Sequence, residues 1–251
     1  MILGVDVSHW QGKMDWKKAK SKGVRFAMLK ATEGKNGQDD RFIENYERVS
    51  EIGIVVGVTH YILVGHNVME QYENILETVG DRTIDVPIAV DCEETGNEGY
   101  TVVQNTKAIR DLVALLYGYK DYPYPMDYTR KSWWDSNVSR DSMWKNLPLW
   151  VAYYWKNDCK VPTDLDPKYI PEDWAGAPSP RWLIHQYCSR GTGYGESSSF
   201  IDLDVWNEAV PFPGDPPVPP PSPLPDEIAV DLKFTINGVK YSGTGLAVKE
   251  I

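Results

Sequence analysis

The stretch PIAVDCEE, residues 87–94, joins a short apolar run to a cluster of carboxylates. In a strand, side chains alternate between faces, so Asp91 and Glu93 share one face while Cys92 points to the other. Two carboxylates this close repel each other, and burial disfavours ionisation, so one of them can hold a proton near neutral pH. Such a pair suits the cleavage of an acetal such as a glycosidic bond. Taken alone, two solvated acids at a strand end explain the motif equally well.

Two other predicted strand ends repeat the pattern. Asp6 lies in ILGVDV, and Asp202 and Asp204 lie in IDLDVW, each on the face opposite an apolar stripe. In a parallel barrel the apolar stripe faces the helices, and acids at the strand C-termini meet at the mouth, where barrel enzymes carry out their chemistry. The first and last strands are neighbours in a closed barrel, so we expect Asp6 to lie close to Asp202. The recurrence favours one shared acidic site.

The elements that must position these acids alternate in the first half of the chain. Apolar strands and amphipathic helices follow one another, which predicts a parallel sheet covered by helices. The second half reads as strands joined by loops with little helix between them. We therefore expect an α/β barrel whose later helices are lost or reduced. The predicted strands of the first half are ILGVDV, VRFAMLKATEG, IVVGVTHYILV and PIAVDCEE.

Charge and hydropathy exclude several classes of partner. The net charge of -10 over 251 residues disfavours nucleic acid and anionic membrane surfaces. No apolar run approaches the roughly 18–20 residues that span a bilayer. The N-terminal MILGVDVSHW lacks the basic and apolar regions of a secretory signal, so we expect synthesis in a cytoplasm and action on a target reached after release.

The three cysteines, Cys92, Cys159 and Cys188, are far apart and show no CxxC spacing. This predicts neither a disulfide nor a zinc site, and an odd number of free thiols suggests a reducing compartment. The four histidines show no HxxxH or HxH spacing, so no metal and no cofactor are expected.

The C-terminal composition changes abruptly. Residues 211–225 form a proline-rich spacer, and residues 226–251 show alternating apolar residues around an Asn237-Gly238 turn, which predicts a β-hairpin. So short a segment cannot form its own core. We expect this tail to form a homo-oligomer with other copies, to dock on the main domain, or to be part of a wall-binding element.

A set of motifs in a fixed order makes a resemblance specific. They are GVDVSHWQG at 4–12, LKATEG at 29–34, GVTHY at 57–61, DCE at 91–93, YTRKSWW at 128–134, LPLWVAYY at 147–154, HQY at 185–187 and IDLDVW at 201–206. Through them, residues 1–210 resemble the family 25 glycoside hydrolases, the Chalaropsis-type lysozymes that include many phage endolysins. The resemblance implies an irregular TIM-like barrel of eight strands with about five helices. It also implies hydrolysis of the β-1,4 bond between N-acetylmuramic acid and N-acetylglucosamine in bacterial peptidoglycan.

The resemblance assigns roles to the acids. Glu93 matches the general acid, and Asp91 matches the acid beside it that tunes Glu93 or stabilises an oxocarbenium-like transition state. Asp6 and Asp202 match the flanking acidic positions of the cleft, and Asp204 stands where the family often has Asn. The resemblance suggests retention of configuration and leaves open whether an aspartate or the substrate's N-acetyl group attacks.

Further residues are predicted to bind substrate. Aromatic rings stack on sugar faces, although core packing explains each of them equally well. Glu33 either lines the cleft or pairs with Lys30. The predicted substrate-binding residues are Tyr61, Glu33, Trp150, Tyr153, Gln186, Tyr187 and Asp204.

Two alternatives to a muramidase stay open at this point. One is a carbohydrate-binding barrel without turnover, and the other is a hydrolase of another N-acetylated glycan such as chitin. The retention of Asp6, Asp91, Glu93 and Asp202 argues against the first, because binding alone does not need a buried acid pair. The absent signal suits a phage endolysin better than a bacterial autolysin.

Overall fold

The computed structural model describes residues 1–155 and 158–213 in full, together with the backbone of two further strands at 229–236 and 239–246. Eight of the strands close into a barrel, because the first strand pairs with both the second and the last. A short additional strand, β3, pairs with β2 outside the barrel. The strands up to residue 213 are β1 Ile2–Val7, β2 Phe26–Glu33, β3 Gly37–Gln38, β4 Val55–Tyr61, β5 Ala89–Asp91, β6 Met126–Thr129, β7 Leu149–Ala152, β8 Ile184–Gly191 and β9 Ile201–Trp206.

Six α-helices lie in this fully described part of the chain. Asn67 and Thr101 cap the two longest helices by accepting hydrogen bonds from first-turn backbone amides. The last two helices have only 7 and 4 residues, which confirms the helix-poor second half. The helices are α1 Trp16–Ser21, α2 Phe42–Glu51, α3 Val68–Val79, α4 Val102–Leu115, α5 Lys131–Asn137 and α6 Glu172–Ala175.

The last barrel strand corrects the expectation of an all-parallel barrel. The strand β9 runs antiparallel to both of its neighbours, β1 and β8. Residues 192–200 join β8 to β9, and a parallel crossover needs a dozen residues or more, so the chain turns back instead. Because of this reversal, the beginning of β9 lies at the mouth. Asp202 therefore pairs with Asp6 across the sheet, and Asp204 lies one layer deeper, opposite Gly4.

Alternation along the strands produces two cores. The outward side chains pack under the helices, while the inward ones fill the barrel. At the closed end of the barrel the inward residues form an apolar floor, consisting of Phe26, Met126, Ile184 and Trp206. Gly4 is required beside this floor, because a Cβ there would overlap the Phe26 ring. With the floor filled, only the inward residues nearer the mouth can be polar without losing contact with water.

The cysteines contradict the expectation of free thiols. Cys159, which follows β7, forms a disulfide with Cys188 in β8, with their Cα atoms 4.9 Å apart. The spacing in sequence is 29 residues and carries no signature, because the fold alone brings the two together. The inference of a reducing compartment was based on three free thiols, and it no longer holds because two of them form this bond. Cys92 is a free thiol buried in the outer core, where burial raises its pKa.

The predicted hairpin is present at the C-terminus. The strands β10 (Ala229–Ile236) and β11 (Val239–Leu246) pair antiparallel, with Ile236 opposite Val239. The Asn237-Gly238 turn and most of the proline-rich spacer lie outside the described residues. In the part of the chain that the structure describes, no helix has the length and apolar character needed to cross a bilayer.

Candidate active site

The four residues predicted to be catalytic lie in one cleft at the barrel mouth. Asp6 comes from β1, Asp91 ends β5, Glu93 follows it by two residues, and Asp202 begins β9. All four line a cavity of about 250 Å³. All eight barrel strands contribute lining residues to this mouth, where parallel barrels carry their chemistry, and the antiparallel β9 contributes through its beginning.

Burial and mutual repulsion favour protonated carboxyls in this cleft. Burial is the main cause of the raised pKa of Asp91, and the neighbouring Glu93 adds to it, while the Lys30 ammonium acts in the opposite direction. Burial, Asp6 and Glu93 together raise the pKa of Asp202 to about 8. One oxygen of Asp91, Oδ1, has no hydrogen-bond partner among the described groups. Burial and the neighbouring acids therefore favour the protonated forms of Asp91 and Asp202.

A buried amide holds Asp6 in place. The Nε2 of Gln186 donates to Oδ2 of Asp6 at 2.6 Å. The hydroxyls of Tyr128 and Tyr154 both donate to Oε1 of Gln186, at 2.8 and 2.5 Å. Two donors on the amide oxygen fix which end of the side chain faces Asp6. Gln186 is predicted from the sequence as a substrate contact, and the structure places it in the cleft lining as a support for a carboxylate.

Tyr61 and Trp150 line the cleft in different ways. The Tyr61 hydroxyl donates to the Thr95 carbonyl at 2.8 Å, and the Lys30 ammonium lies 4.8 Å from the ring centroid. Trp150 is only 2% exposed, and its indole donates to Oδ1 of Asp204 at 2.9 Å. Tyr61 is 9% exposed and lines the side of the cleft, whereas Trp150 forms the wall behind the acids.

Four other predicted substrate-binding residues do not line the cleft. Glu33 is ion-paired with Lys30 outside it. Tyr153 stacks on Tyr169, with ring centroids 3.4 Å apart. Tyr187 alternates with the inward Gln186, so it packs in the outer core under the helices. Asp204 lies beneath the cleft, because the reversed β9 carries its second acid away from the mouth.

The cleft also contains residues that sequence reasoning missed. Trp10 is 73% exposed at its edge, and its position three residues after the end of β1, in the SHWQG motif, is the signal that could have identified it. Tyr128 and Tyr154 lie in other motifs at the ends of β6 and β7. The remaining missed lining residues are Val7, Ser8, Gln11, Met28, Lys30 and Thr59.

His60 is buried and hydrogen-bonded away from the cleft lining. His60 is buried between the Thr32 hydroxyl, 2.7 Å from Nδ1, and Oε1 of Gln71, 3.2 Å from Nε2. Burial lowers its pKa to about 4, so it is neutral at pH 7. Within residues 1–155 and 158–213, no three His, Cys, Asp or Glu side chains are grouped to hold a metal ion.

A closed α/β barrel with a cluster of carboxyls at its mouth defines a class, the barrel glycoside hydrolases. The family described as "Glycosyl hydrolases family 25" matches residues 5–195, so the chain belongs to this family. The resemblance inferred from the ordered motifs is confirmed, and so is the enzyme class.

Named relatives and solved structures agree with this membership. The chain is 29% identical to Lysozyme M1 of Streptomyces globisporus, over 82% of this chain and 68% of that protein. It is 26% identical to the N,O-diacetylmuramidase of Chalaropsis sp, over 82% and 96% of the two chains. The structure of a bacterial lysozyme from Streptomyces coelicolor has a TM-score of 0.66 and 28% identity, and the match covers 82% of this chain and 92% of that one.

Proposed function

We infer that the chain is a peptidoglycan muramidase, which hydrolyses the β-1,4 bond between N-acetylmuramic acid and N-acetylglucosamine. The observation that carries this is the placement of Asp6, Asp91, Glu93 and Asp202 around one cleft in a family 25 barrel. The relatives named as a lysozyme and an N,O-diacetylmuramidase support the substrate class.

The proposed reaction begins with proton transfer from Glu93. Its carboxyl protonates the glycosidic oxygen as the bond from that oxygen to the anomeric carbon breaks, so the leaving sugar departs as a neutral alcohol. Positive charge develops at the anomeric carbon, and the nearby carboxyls of Asp6 and Asp91 stabilise it where they are ionised. The Lys30 ammonium favours the ionised form of Asp91. The Glu93 carboxylate then takes a proton from the water that completes the hydrolysis.

Substrate is proposed to bind along the edge of this cleft. Trp10, exposed beside the acids, offers a ring face on which a sugar can stack. Tyr61 offers a second ring, held by its hydrogen bond to Thr95. Retention of configuration, suggested by the family resemblance, is part of the same proposal.

Clearing of purified Gram-positive cell walls tests this function. We expect Glu93→Gln to lower the initial clearing rate about 100-fold or more, because it removes the proton donor. Glu94→Gln is the matched control, because Glu94 directly follows Glu93 in the chain and its exposed side chain pairs with Arg130. Full clearing by Glu93→Gln would contradict the assignment. New reducing ends on chitin without any on walls would support the other N-acetylated glycan instead.

The binding-only alternative makes a different prediction about the acids. Burying carboxyls costs folding free energy, and a protein that only binds sugar gains nothing from that cost. We therefore expect turnover, which the wall assay measures directly.

The biological setting is a further part of the proposal. Host-cell lysis by a phage endolysin fits action on a bacterial wall, and the fold is also that of the CTP1L endolysin. We propose that the hairpin tail serves self-association, docking on the barrel or wall binding. Light scattering on a chain ending at Trp206 measures the first: an unchanged oligomeric mass would exclude it.

A further inference from the structure

Trp10 reaches the edge of the cleft from a short turn whose backbone is fixed. The turn is the 3₁₀ helix His9–Gln11, which lies just after β1. The Ser8 hydroxyl accepts from the Trp10 backbone N–H at 3.2 Å, and the Ser8 N–H donates to Oε1 of Gln11 at 2.8 Å. The Gln11 carbonyl accepts from the Ser197 N–H at 3.1 Å. These bonds fix the backbone of Trp10, but its side chain is 73% exposed and needs another contact to keep one orientation.

A buried carboxylate holds the residue before Trp10. The Asp39 side chain is 1% exposed, and its Oδ2 accepts from the His9 backbone N–H at 2.9 Å. The Nδ1 atom of the His9 ring lies 2.8 Å from the same oxygen. An ionised carboxylate can only accept, so Nδ1 carries the hydrogen of this bond. Asp39 therefore fixes both the backbone and the imidazole ring of His9.

Asp39 is itself fixed between β3 and α2. Its backbone N–H donates to the Ala31 carbonyl of β2 at 2.9 Å, and its own carbonyl accepts from the Phe42 N–H at the start of α2 at 3.0 Å. Its Oδ1 accepts from the Arg41 N–H at 3.0 Å. Each carboxylate oxygen thus has a donor, and the backbone on both sides is bonded to regular elements. Asp39 is a rigid anchor for a residue that lies 30 positions earlier in the chain.

The anchored imidazole contacts the ring that lines the cleft. The ring centroids of His9 and Trp10 are 4.6 Å apart, and their planes meet at 37°. Packing against a fixed ring restricts the rotation of the Trp10 side chain, while most of the indole stays open to a ligand. A sugar that stacks on an indole already held in place loses less conformational entropy on binding than one that must first order it.

We propose that Asp39 and His9 are positioning residues, which hold the Trp10 ring as a preformed platform for a sugar of the glycan strand. Trp10 lines the cleft, whereas His9 and Asp39 lie outside its lining. This inference rests on the proposed function, because it concerns how the muramidase binds its polymer. A contact that is equally strong in the ground and transition states changes KM and leaves kcat unchanged. Loss of the anchor should therefore weaken binding without slowing the chemical step.

Wall-clearing kinetics of Asp39→Asn test this expectation. An amide accepts through only one oxygen, so the variant cannot accept from His9 and from the Arg41 N–H at the same time. We expect KM for purified walls to rise about three- to tenfold, with kcat within about twofold of the wild type. Asp40→Asn is the matched control, because Asp40 is the next residue and is exposed, and it should leave both parameters unchanged. Equal KM values for wild type and Asp39→Asn would overturn the proposal.

A double variant separates positioning from a general role of the pair in folding. Trp10→Ala removes the platform, so KM should rise at least as much as in Asp39→Asn. Adding Asp39→Asn to Trp10→Ala should then raise KM no further, because residues that act through one ring are not additive. If the second substitution raises KM by the same factor in both backgrounds, the pair does not act through Trp10 and the proposal fails.

A measurement without substrate distinguishes this inference from the muramidase function. When the chain is labelled with fluorotryptophan, each of its 10 tryptophans carries a fluorine nucleus, and Trp10→Phe identifies the NMR signal of Trp10. We expect Asp39→Asn to shift or broaden the Trp10 signal and to leave that of the buried Trp134 unchanged. An unchanged Trp10 signal would overturn the positioning role. Absent wall clearing by wild type, together with an altered Trp10 signal in Asp39→Asn, would count against the muramidase function alone.

Discussion

The floor and the mouth of the barrel interior are built by the same strands and the same face, yet their chemistry is opposite. On β2, Phe26 packs into the apolar floor, while Lys30, two inward positions later, reaches the cleft. On β9 the order is reversed, and Trp206 lies at the floor while Asp202 lies at the mouth. The floor stabilises the protein by burying apolar surface, and the mouth reduces stability by holding carboxyls away from water. Distance from the floor therefore decides which inward positions can carry chemistry.

The largest effect on stability should come from the floor. Phe26→Ala removes a fully buried ring that contacts Trp206 and Phe212 edge-on, at centroid distances of 6.0 and 6.4 Å. We expect the free energy of unfolding to fall by about 3–5 kcal/mol, because the cavity cannot fully collapse. Urea unfolding measures it. A loss below about 1 kcal/mol would mean that the floor does not carry the stability assigned to it.

The second-largest loss of stability should come from removing the disulfide. It ties the segment after β7, which carries Tyr154, to β8, which carries Gln186. Replacing Cys159 and Cys188 together with Ser should lower the free energy of unfolding by about 3 kcal/mol, because the unfolded chain regains loop entropy. Thermal unfolding with and without reductant provides the check. If reductant destabilises the double variant as much as the wild type, the effect does not come from this bond.

His60 should lower the free energy of unfolding as the pH falls. The carboxyls of the mouth should do the opposite, because their pKa values are raised. The folded-state pKa of His60, about 4, lies below the ordinary 6.5, so the unfolded chain binds a proton that the native state excludes. Its contribution is complete above about pH 6.5 and is lost as the pH falls toward 4, by at most about 3 kcal/mol. Urea unfolding of wild type and His60→Gln at pH 7 and pH 4.5 isolates this contribution. Identical losses in the two proteins would contradict it.

The smallest effect should be an increase in stability when a carboxyl at the mouth is replaced. Because the pKa of Asp202 is raised in the folded state, the contribution of this residue to the free energy of unfolding is present near pH 4 and is lost as the pH rises through about 8. Asp202→Asn should therefore stabilise the protein by about 1–2 kcal/mol at pH 8, less at pH 5, and at the same time slow wall clearing. Asp166→Asn, at an exposed carboxyl paired with Lys168, is the control and should give no such gain. Destabilisation by Asp202→Asn at pH 8 would show that the mouth does not oppose folding.

Much of the fold could be predicted from the sequence because strand alternation and helix periodicity are local. The alternation of residues 91–93, with Asp91 and Glu93 toward the cleft and Cys92 toward the outer core, needed no knowledge of the rest of the chain, although the strand predicted over residues 87–94 is shorter, because β5 ends at Asp91. The reduced second half followed from the absence of helical periodicity. These predictions are confirmed by the barrel.

The remaining features depend on contacts between distant segments. The reversal of β9 follows from the short connection after β8, and it places Asp204 under the cleft instead of in it. The pairing of Cys159 with Cys188 depends on the path of the chain after β7. The outward Tyr187 and the inward Gln186 are adjacent in one motif, and only the register of β8 tells which of them reaches the cleft. Sequence spacing does not encode these three-dimensional neighbours.

We propose that Glu93 and its neighbouring acids cleave the bond on the reducing side of N-acetylmuramic acid. The direct measurement is digestion of purified peptidoglycan, borohydride reduction of the new ends, and identification of the reduced sugar by mass spectrometry. We predict reduced muramic acid with the wild type, the same product at an unchanged rate with Glu94→Gln, and a rate lower by about 100-fold or more with Glu93→Gln. Reduced glucosamine as the new end, or undiminished release by Glu93→Gln, would contradict the account.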